Sequence, residues 1–123
     1  MKRKMFVLLA MAALAAVPAG AAVAMDGQQA FNNNCRTCHT VKEGDNRLGP
    51  SLFGIVGRKA GSLPGYRFSP SLQQSGITWD EASLDKFIAD PEKLVGGNAM
   101  KPYGGISDAA QRQAIIDYLK QPG

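Results

Sequence analysis

The sequence predicts an all-α fold of three to five short helices joined by long irregular loops. Three observations carry that reading. Apolar residues recur at i, i+3 and i+4 in short segments, as on one face of a helix. No segment alternates apolar and polar residues as a half-buried strand would. Residues 41–69 hold Gly44, Gly49, Pro50, Gly54, Gly57, Gly61, Pro64 and Gly65, too many breakers for a long helix. A chain of 123 residues has room for one domain. Loops that long in so small a domain wrap something or do something.

The chain opens with Lys2, Arg3 and Lys4, followed by an unbroken apolar run from Met5 to Val17. Pro18, Gly20 and the pattern Ala22-Val23-Ala24 come next. This is the layout of a secretory signal peptide over residues 1–24, with a single domain over 25–123. A retained anchor is the competing reading, since Met5 to Ala24 is 20 residues and long enough to span a bilayer. The breakers and the A-x-A pattern favour cleavage, and in either case the remainder is exported. Asp26 caps a first helix that runs through Ala30 and Phe31 toward Cys35. Ser69-Pro70 opens a short helix that Gly76 ends. Thr78 and Glu81 have capping-box spacing, and the helix behind them puts Leu84, Phe87 and Ile88 on one face. Pro91 stops that helix by disfavouring the helical conformation at Asp90. Gly96 to Gly105 reads as loop. Ser107 caps a last helix with Ile115, Tyr118 and Leu119 on one stripe, ended by Pro122.

The formal charge is +4, but three of the basic residues sit in the leader. Without it, eleven basic residues face ten acidic ones. Nucleic-acid binding needs clustered surplus charge, and none is visible. Two cysteines and one histidine cannot close a four-ligand zinc site, and a single histidine excludes any bis-histidine centre.

Cys35-Arg36-Thr37-Cys38-His39 is C-x-x-C-H, the attachment signature of a c-type haem. Two thiols three residues apart on a helical turn can each add to one porphyrin vinyl group. His39 then points its imidazole at the iron. A thioredoxin-type redox disulfide would belong with a βαβ pattern, which is missing here. Export suits haem attachment, which bacteria perform outside the cytoplasm. The sixth iron position needs another ligand. Beyond the leader only Met25 and Met100 offer a thioether. Met25 lies at the expected new N-terminus, where chains fray. Met100 sits in the polar loop Gly96-Gly97-Asn98-Ala99-Met100-Lys101-Pro102-Tyr103, a poor place for core filler and a good one for a ligand. A Met/His pair raises the reduction potential.

With these residues in view, the chain resembles the small class I cytochromes c, mitochondrial and short bacterial alike, over about residues 26–120. Gly49-Pro50, Leu52, Gly54 and Gly57-Arg58-Lys59-Ala60-Gly61 resemble the segment that follows the haem motif in that family, and Gly76-Ile77-Thr78-Trp79 resembles a later one. The resemblance implies the cytochrome c fold, with loops wrapped around one haem. It implies that the Pro50 carbonyl accepts a hydrogen bond from His39, and that Trp79 and Arg58 lie by a haem propionate. It also implies that Gly27, Phe31, Ile115 and Tyr118 meet where the terminal helices cross. Phe68, Leu72, Phe87 and Asn98 depart from the family's usual polar or threonine residues around the haem. Tyr66, close to Phe68, could supply a substitute hydroxyl.

The function so implied is a periplasmic one-electron carrier, not an enzyme, acting as a monomer. Its partners would be a bc-type complex, a terminal oxidase, a photosynthetic reaction centre or a periplasmic dehydrogenase. Nucleic acid is not among them, and stable membrane insertion is not expected once the leader is cleaved. Family carriers often ring the haem edge with lysines; the candidates here are Arg36, Arg47, Lys86, Lys93 and Lys101, with Glu92 and Asn34 at positions that are often lysine. Two other readings compete. A haem enzyme or gas sensor needs an open iron site with distal acid–base groups, and an anchored subunit of a larger complex needs the leader retained.

Overall fold

The computed structural model describes residues 26–122. The leader, its cleavage pattern and Met25 lie outside the described residues. Five helices follow in order: α1 (Gly27–Asn34), α2 (Pro70–Gln73), α3 (Glu81–Ala89), α4 (Pro91–Leu94) and α5 (Ala109–Lys120). Among the described residues there is no strand beyond an isolated antiparallel bridge, Lys59 to Thr78. None of these helices is long and apolar enough to cross a membrane.

Helix α1 begins as expected: the Asp26 carboxylate accepts the N–H groups of Gln28 at 3.0 Å and Gln29 at 3.3 Å. It crosses α5 at Gly27, where a Cβ would strike the Ala114 carbonyl oxygen and come within 2.9 Å of Tyr118 Cβ. A glycine is therefore required for the close approach. Beside it the Phe31 and Tyr118 rings pack with centroids 5.5 Å apart. Ile115 and Ile116 are wholly buried below, each worth about 1.5–3 kcal/mol of apolar burial. The expected four-residue contact between the terminal helices is thus present.

The caps of two helices differ from expectation. The cap of α5 is Asp108, which accepts the Ala110 N–H at 3.0 Å, and not Ser107. Arg112 explains the shift. Its guanidinium donates to the carbonyls of Ile106 and Ser107, both at 3.0 Å, and so secures the chain just before the helix. The same side chain meets Asp85 at 2.7 Å and ties α5 to α3. The capping box of α3 is Asp80 with Ser83, not Thr78 with Glu81. Thr78 is held in the bridge to Lys59, and the Trp79 N–H and carbonyl are bonded to Arg58 and Gly57. The helix can start only after these bonds end. Leu84, Phe87 and Ile88 are buried on one face of α3 as expected. Pro91 does end α3, but it also opens α4, with the Asp90 carboxylate accepting the Lys93 N–H at 3.2 Å. A proline at the first helical position loses no hydrogen bond.

Candidate cofactor site

The buried side chains form walls as well as a core. Ile55, Leu84, Phe87, Ile88 and Leu119 all border one cavity of about 420 Å³. Cys35, Cys38, His39, Pro50, Arg58, Trp79 and Met100 border it too. Every site residue expected from the sequence is therefore brought to one place. Phe68, Leu72 and Asn98 line the same space.

One side is built on the turn that leaves α1. The His39 and Cys38 N–H groups bond to the Cys35 carbonyl at 2.9 and 3.1 Å, which puts two thiols and an imidazole on one turn. Both cysteines are free and half-buried. Burial, and then the charge of Cys38, push the Cys35 thiol up to about 11, so it is a thiol and not a thiolate at neutral pH. His39 Nδ1 lies 2.8 Å from the Pro50 carbonyl oxygen. It donates there, leaving Nε2 as the lone-pair donor. Burial lowers the His39 pKa; the Pro50 bond opposes this, and the Arg58 charge reinforces it. The result is a neutral imidazole, the form that ligates a metal. A Cβ at Gly49 would come within 2.7 Å of His39 Nδ1, so that residue must be glycine for the ring to sit where it does.

Backbone bonds together with the Asn46, Ser51 and Arg58 side chains brace this side. Gly49 N–H bonds to the Cys38 carbonyl at 2.7 Å and Leu52 N–H to Thr40 at 2.8 Å. Asn46 Oδ1 accepts the Ser51 N–H at 2.8 Å, and the buried Ser51 hydroxyl donates to Lys42 at 2.6 Å. Arg58 donates to the carbonyls of Ser51 at 2.9 Å and Phe53 at 3.3 Å. Its guanidinium has five N–H donors, so donors remain for a further acceptor in the cavity. Burial lowers its pKa, yet a guanidinium stays charged. Trp79, 5% exposed, packs on Phe87 with ring centroids 5.0 Å apart. The Tyr66 hydroxyl is already engaged, donating to the Leu48 carbonyl at 2.7 Å.

Met100 borders the cavity from the loop between α4 and α5. Tyr103 pins that loop to α3 by donating to the Ile88 carbonyl, and the Ile106 N–H reaches the same oxygen at 3.0 Å. Burial first, and the nearby Cys35 second, hold the Tyr103 hydroxyl well above its ordinary pKa, so it remains a donor.

The candidate basic rim is thinner than a residue count suggests. Arg47 pairs with Asp45 at 3.2 Å, and Lys101 faces Glu92 at 3.8 Å. Arg36, Lys86 and Lys93 are exposed. Three features lie beyond the sequence reading: the buried Ser51 with its Asn46 partner, the Arg58 bonds to Ser51 and Phe53, and a Glu92–Asn98 contact beside Met100. None follows a periodic pattern.

The donor set fits a c-type haem: two free thiols at attachment spacing, a neutral imidazole with its far nitrogen tied, and a thioether, all on one apolar cavity. Comparison with known proteins agrees. The family profile "Cytochrome C oxidase, cbb3-type, subunit III" matches residues 22–119. Cytochrome c2 iso-2 of Magnetospirillum fulvum is 48% identical over 86 residues, covering 70% of this chain and 88% of that protein. Cytochrome c2 of Rhodopila globiformis is 43% identical over 96 residues, covering 78% and 90%. The solved structure of cytochrome cH from Methylobacterium extorquens matches with a TM-score of 0.72 at 46% identity, over 79% of this chain and 96% of that one.

Proposed function

Because the chain belongs to the cytochrome c family, with its all-α fold and one covalently bound c-type haem, we propose that it is a periplasmic one-electron carrier with His39 and Met100 as axial ligands. The haem supplies the Fe(III)/Fe(II) change when bound. Cys35 and Cys38 tether it. Pro50 fixes the His39 ring and its tautomer, as outer partners of metal-bound histidines do. Arg58 and Trp79 offer donors to buried carboxylates, which need partners. The single observation that carries the reading is that one cavity is bordered at once by Cys35, Cys38, His39 and Met100.

With His39 and Met100 both held at the cavity, a bound haem iron would have no open position for a substrate, which argues for a carrier over an enzyme. The leader's charge and apolar pattern support export to the periplasm. Redox proteins such as a bc-type complex, an oxidase, a reaction centre or a dehydrogenase are the fitting partners, met by a monomer. Because Arg47 and Lys101 are already paired with acids, steering is weak. The bimolecular rate with an acidic partner should fall only mildly as ionic strength rises; a steep fall would reveal a concentrated basic face.

The deciding experiment is a redox titration of the purified haem protein with its visible spectrum. A weak band near the red edge of the visible range and little carbon monoxide binding are expected. Prompt binding of carbon monoxide to the parent protein would overturn the closed-site reading. Mass analysis of the N-terminal peptide tests leader cleavage.

A further inference from the structure

The loop that carries Met100 makes few backbone hydrogen bonds of its own. Asn98 N–H reaches the Val95 carbonyl at 3.3 Å, and Lys101 N–H reaches Ala99 at 2.9 Å. Side chains supply the remainder. Asn98 is buried and its amide is used at both ends. Its Oδ1 accepts the Met100 N–H at 2.9 Å. Its Nδ2 donates to the Val95 carbonyl at 2.8 Å and to Glu92 Oε2 at 3.2 Å. The other oxygen of Glu92 accepts the Gly97 N–H at 2.9 Å. One carboxylate on α4 therefore grips two loop residues, and one of these grips the backbone of Met100.

We propose that Glu92 is a positioning residue that clamps the Met100 loop through Asn98 and so sets how often the thioether leaves its place. The proposal rests on Met100 being the axial ligand. Hydrogen bonds to a carboxylate are stronger than neutral ones. Here the carboxylate spans α4 and the loop, so losing it frees Gly97 and removes one of the two anchors of the Asn98 amide nitrogen. The Glu92 side chain is about half exposed, so water competes and the effect is moderate. The Lys101 ammonium, 3.8 Å away and exposed, adds little.

The test uses the full haem-loaded protein. Cyanide enters ferric iron only while the thioether is off, so its binding rate reads loop opening. Glu92→Ala should raise that rate about three- to tenfold, with covalent haem retained. Glu92→Gln, which keeps one acceptor oxygen, should fall between Glu92→Ala and the parent. Glu43→Ala, an exposed carboxylate elsewhere, should match the parent, which separates a clamp from a charge effect. In the reduced protein, amide exchange should quicken at Gly97 and Met100 in Glu92→Ala, but not at Gly49. Parent cyanide rates and parent exchange in Glu92→Ala would overturn the clamp. Met100→Ala separates the two ideas: if it keeps the red-edge band, the ligand assignment fails, and if it loses the band while Glu92→Ala is silent, only the clamp fails. Should Glu92→Ala accumulate poorly, the parent suffices, since unprotected exchange at the Gly97 amide would itself overturn the proposal.

Discussion

The two sides of the cavity are held by different means. The histidine side is braced by bonds onto backbone carbonyls within packed turns: the Gly49 N–H on Cys38, the Leu52 N–H on Thr40, the His39 ring on Pro50, and Arg58 on two further carbonyls. The methionine side is braced by side chains, with Asn98, Glu92 and Tyr103 each holding a stretch of loop. Backbone bonds inside a packed turn open together or not at all, whereas single side-chain bonds at a surface open one by one. The difference teaches that the site has a fixed wall and a wall that can yield, and that the yielding wall carries the thioether.

Substitutions can break this contrast. The largest effect should come from the fixed wall. Gly49→Val places carbon atoms inside the His39 ring's space, and almost no haem-loaded chain should accumulate, measured as covalent haem per polypeptide. Gly49→Ala should fold less stably by about 1–3 kcal/mol, as overpacked sites do, read as a drop in Tm. Next comes Met100→Ala. It should retain covalent haem through acid–organic extraction, lose the red-edge band, lower the potential and bind cyanide and carbon monoxide readily. A Met100→Ala protein with the parent spectrum would put the yielding wall elsewhere.

Gly105→Ala should disturb that wall without removing the thioether. Gly105 sits at φ +118°, and a Cβ there would strike the Ala89 carbonyl oxygen as well as its carbon. Strain of about 1–3 kcal/mol is expected, with a faster cyanide reaction and an unchanged His39 environment by proton resonance. Equal disturbance of both walls would show that they are one cooperative unit.

The smallest effect concerns acid. Helix α3 supports the methionine side through the Ile88 carbonyl, and its start depends on Asp80. The Ser83 N–H, and then its hydroxyl, hold the Asp80 carboxyl below its ordinary 3.8. The folded chain thus binds that proton less readily than the unfolded one. Its contribution is complete above the unfolded value and is lost as pH falls through the lower folded one. Asp80→Asn should keep the cap and flatten this part of the acid limb in melts taken from pH 5 to pH 2.5. An unchanged limb would remove Asp80 from the balance.

The parts legible in the sequence were those with a local signature. Cys35-x-x-Cys38-His39 announces its chemistry within five residues, and Met100 stands out as a thioether in a polar loop, which the fold brings to the same cavity. Helix α1 declares itself by its Asp26 cap and helix α5 by its apolar stripe, though the cap of α5 is Asp108 and not the expected Ser107. Helix α4 does not, since four residues from Pro91 to Leu94 are too few to show a period. The shifted cap at Asp80 depends on the bridge to Lys59, from elsewhere in the chain, and that at Asp108 on Arg112 of α5 itself reaching back to the Ile106 and Ser107 carbonyls. For the same reason Arg58 was placed in the site, but its grip on Ser51 and Phe53 was not foreseen. Bonds between irregular segments leave no spacing to read.

The fixing of Arg58 has one more consequence. An electron arriving at a buried centre changes the charge there by one unit, and every movable dipole nearby must turn in response. The cavity walls are mostly hydrocarbon, with Leu52, Ile55, Leu72, Phe68 and Phe87 among them. The Arg58 guanidinium on that wall is already tied to two backbone carbonyls, and the Tyr66 hydroxyl to a third. These groups have been oriented by folding, so they present their field without swinging. Little of the surroundings then has to rearrange in either direction, which lowers the barrier to gaining an electron and the barrier to giving it away alike.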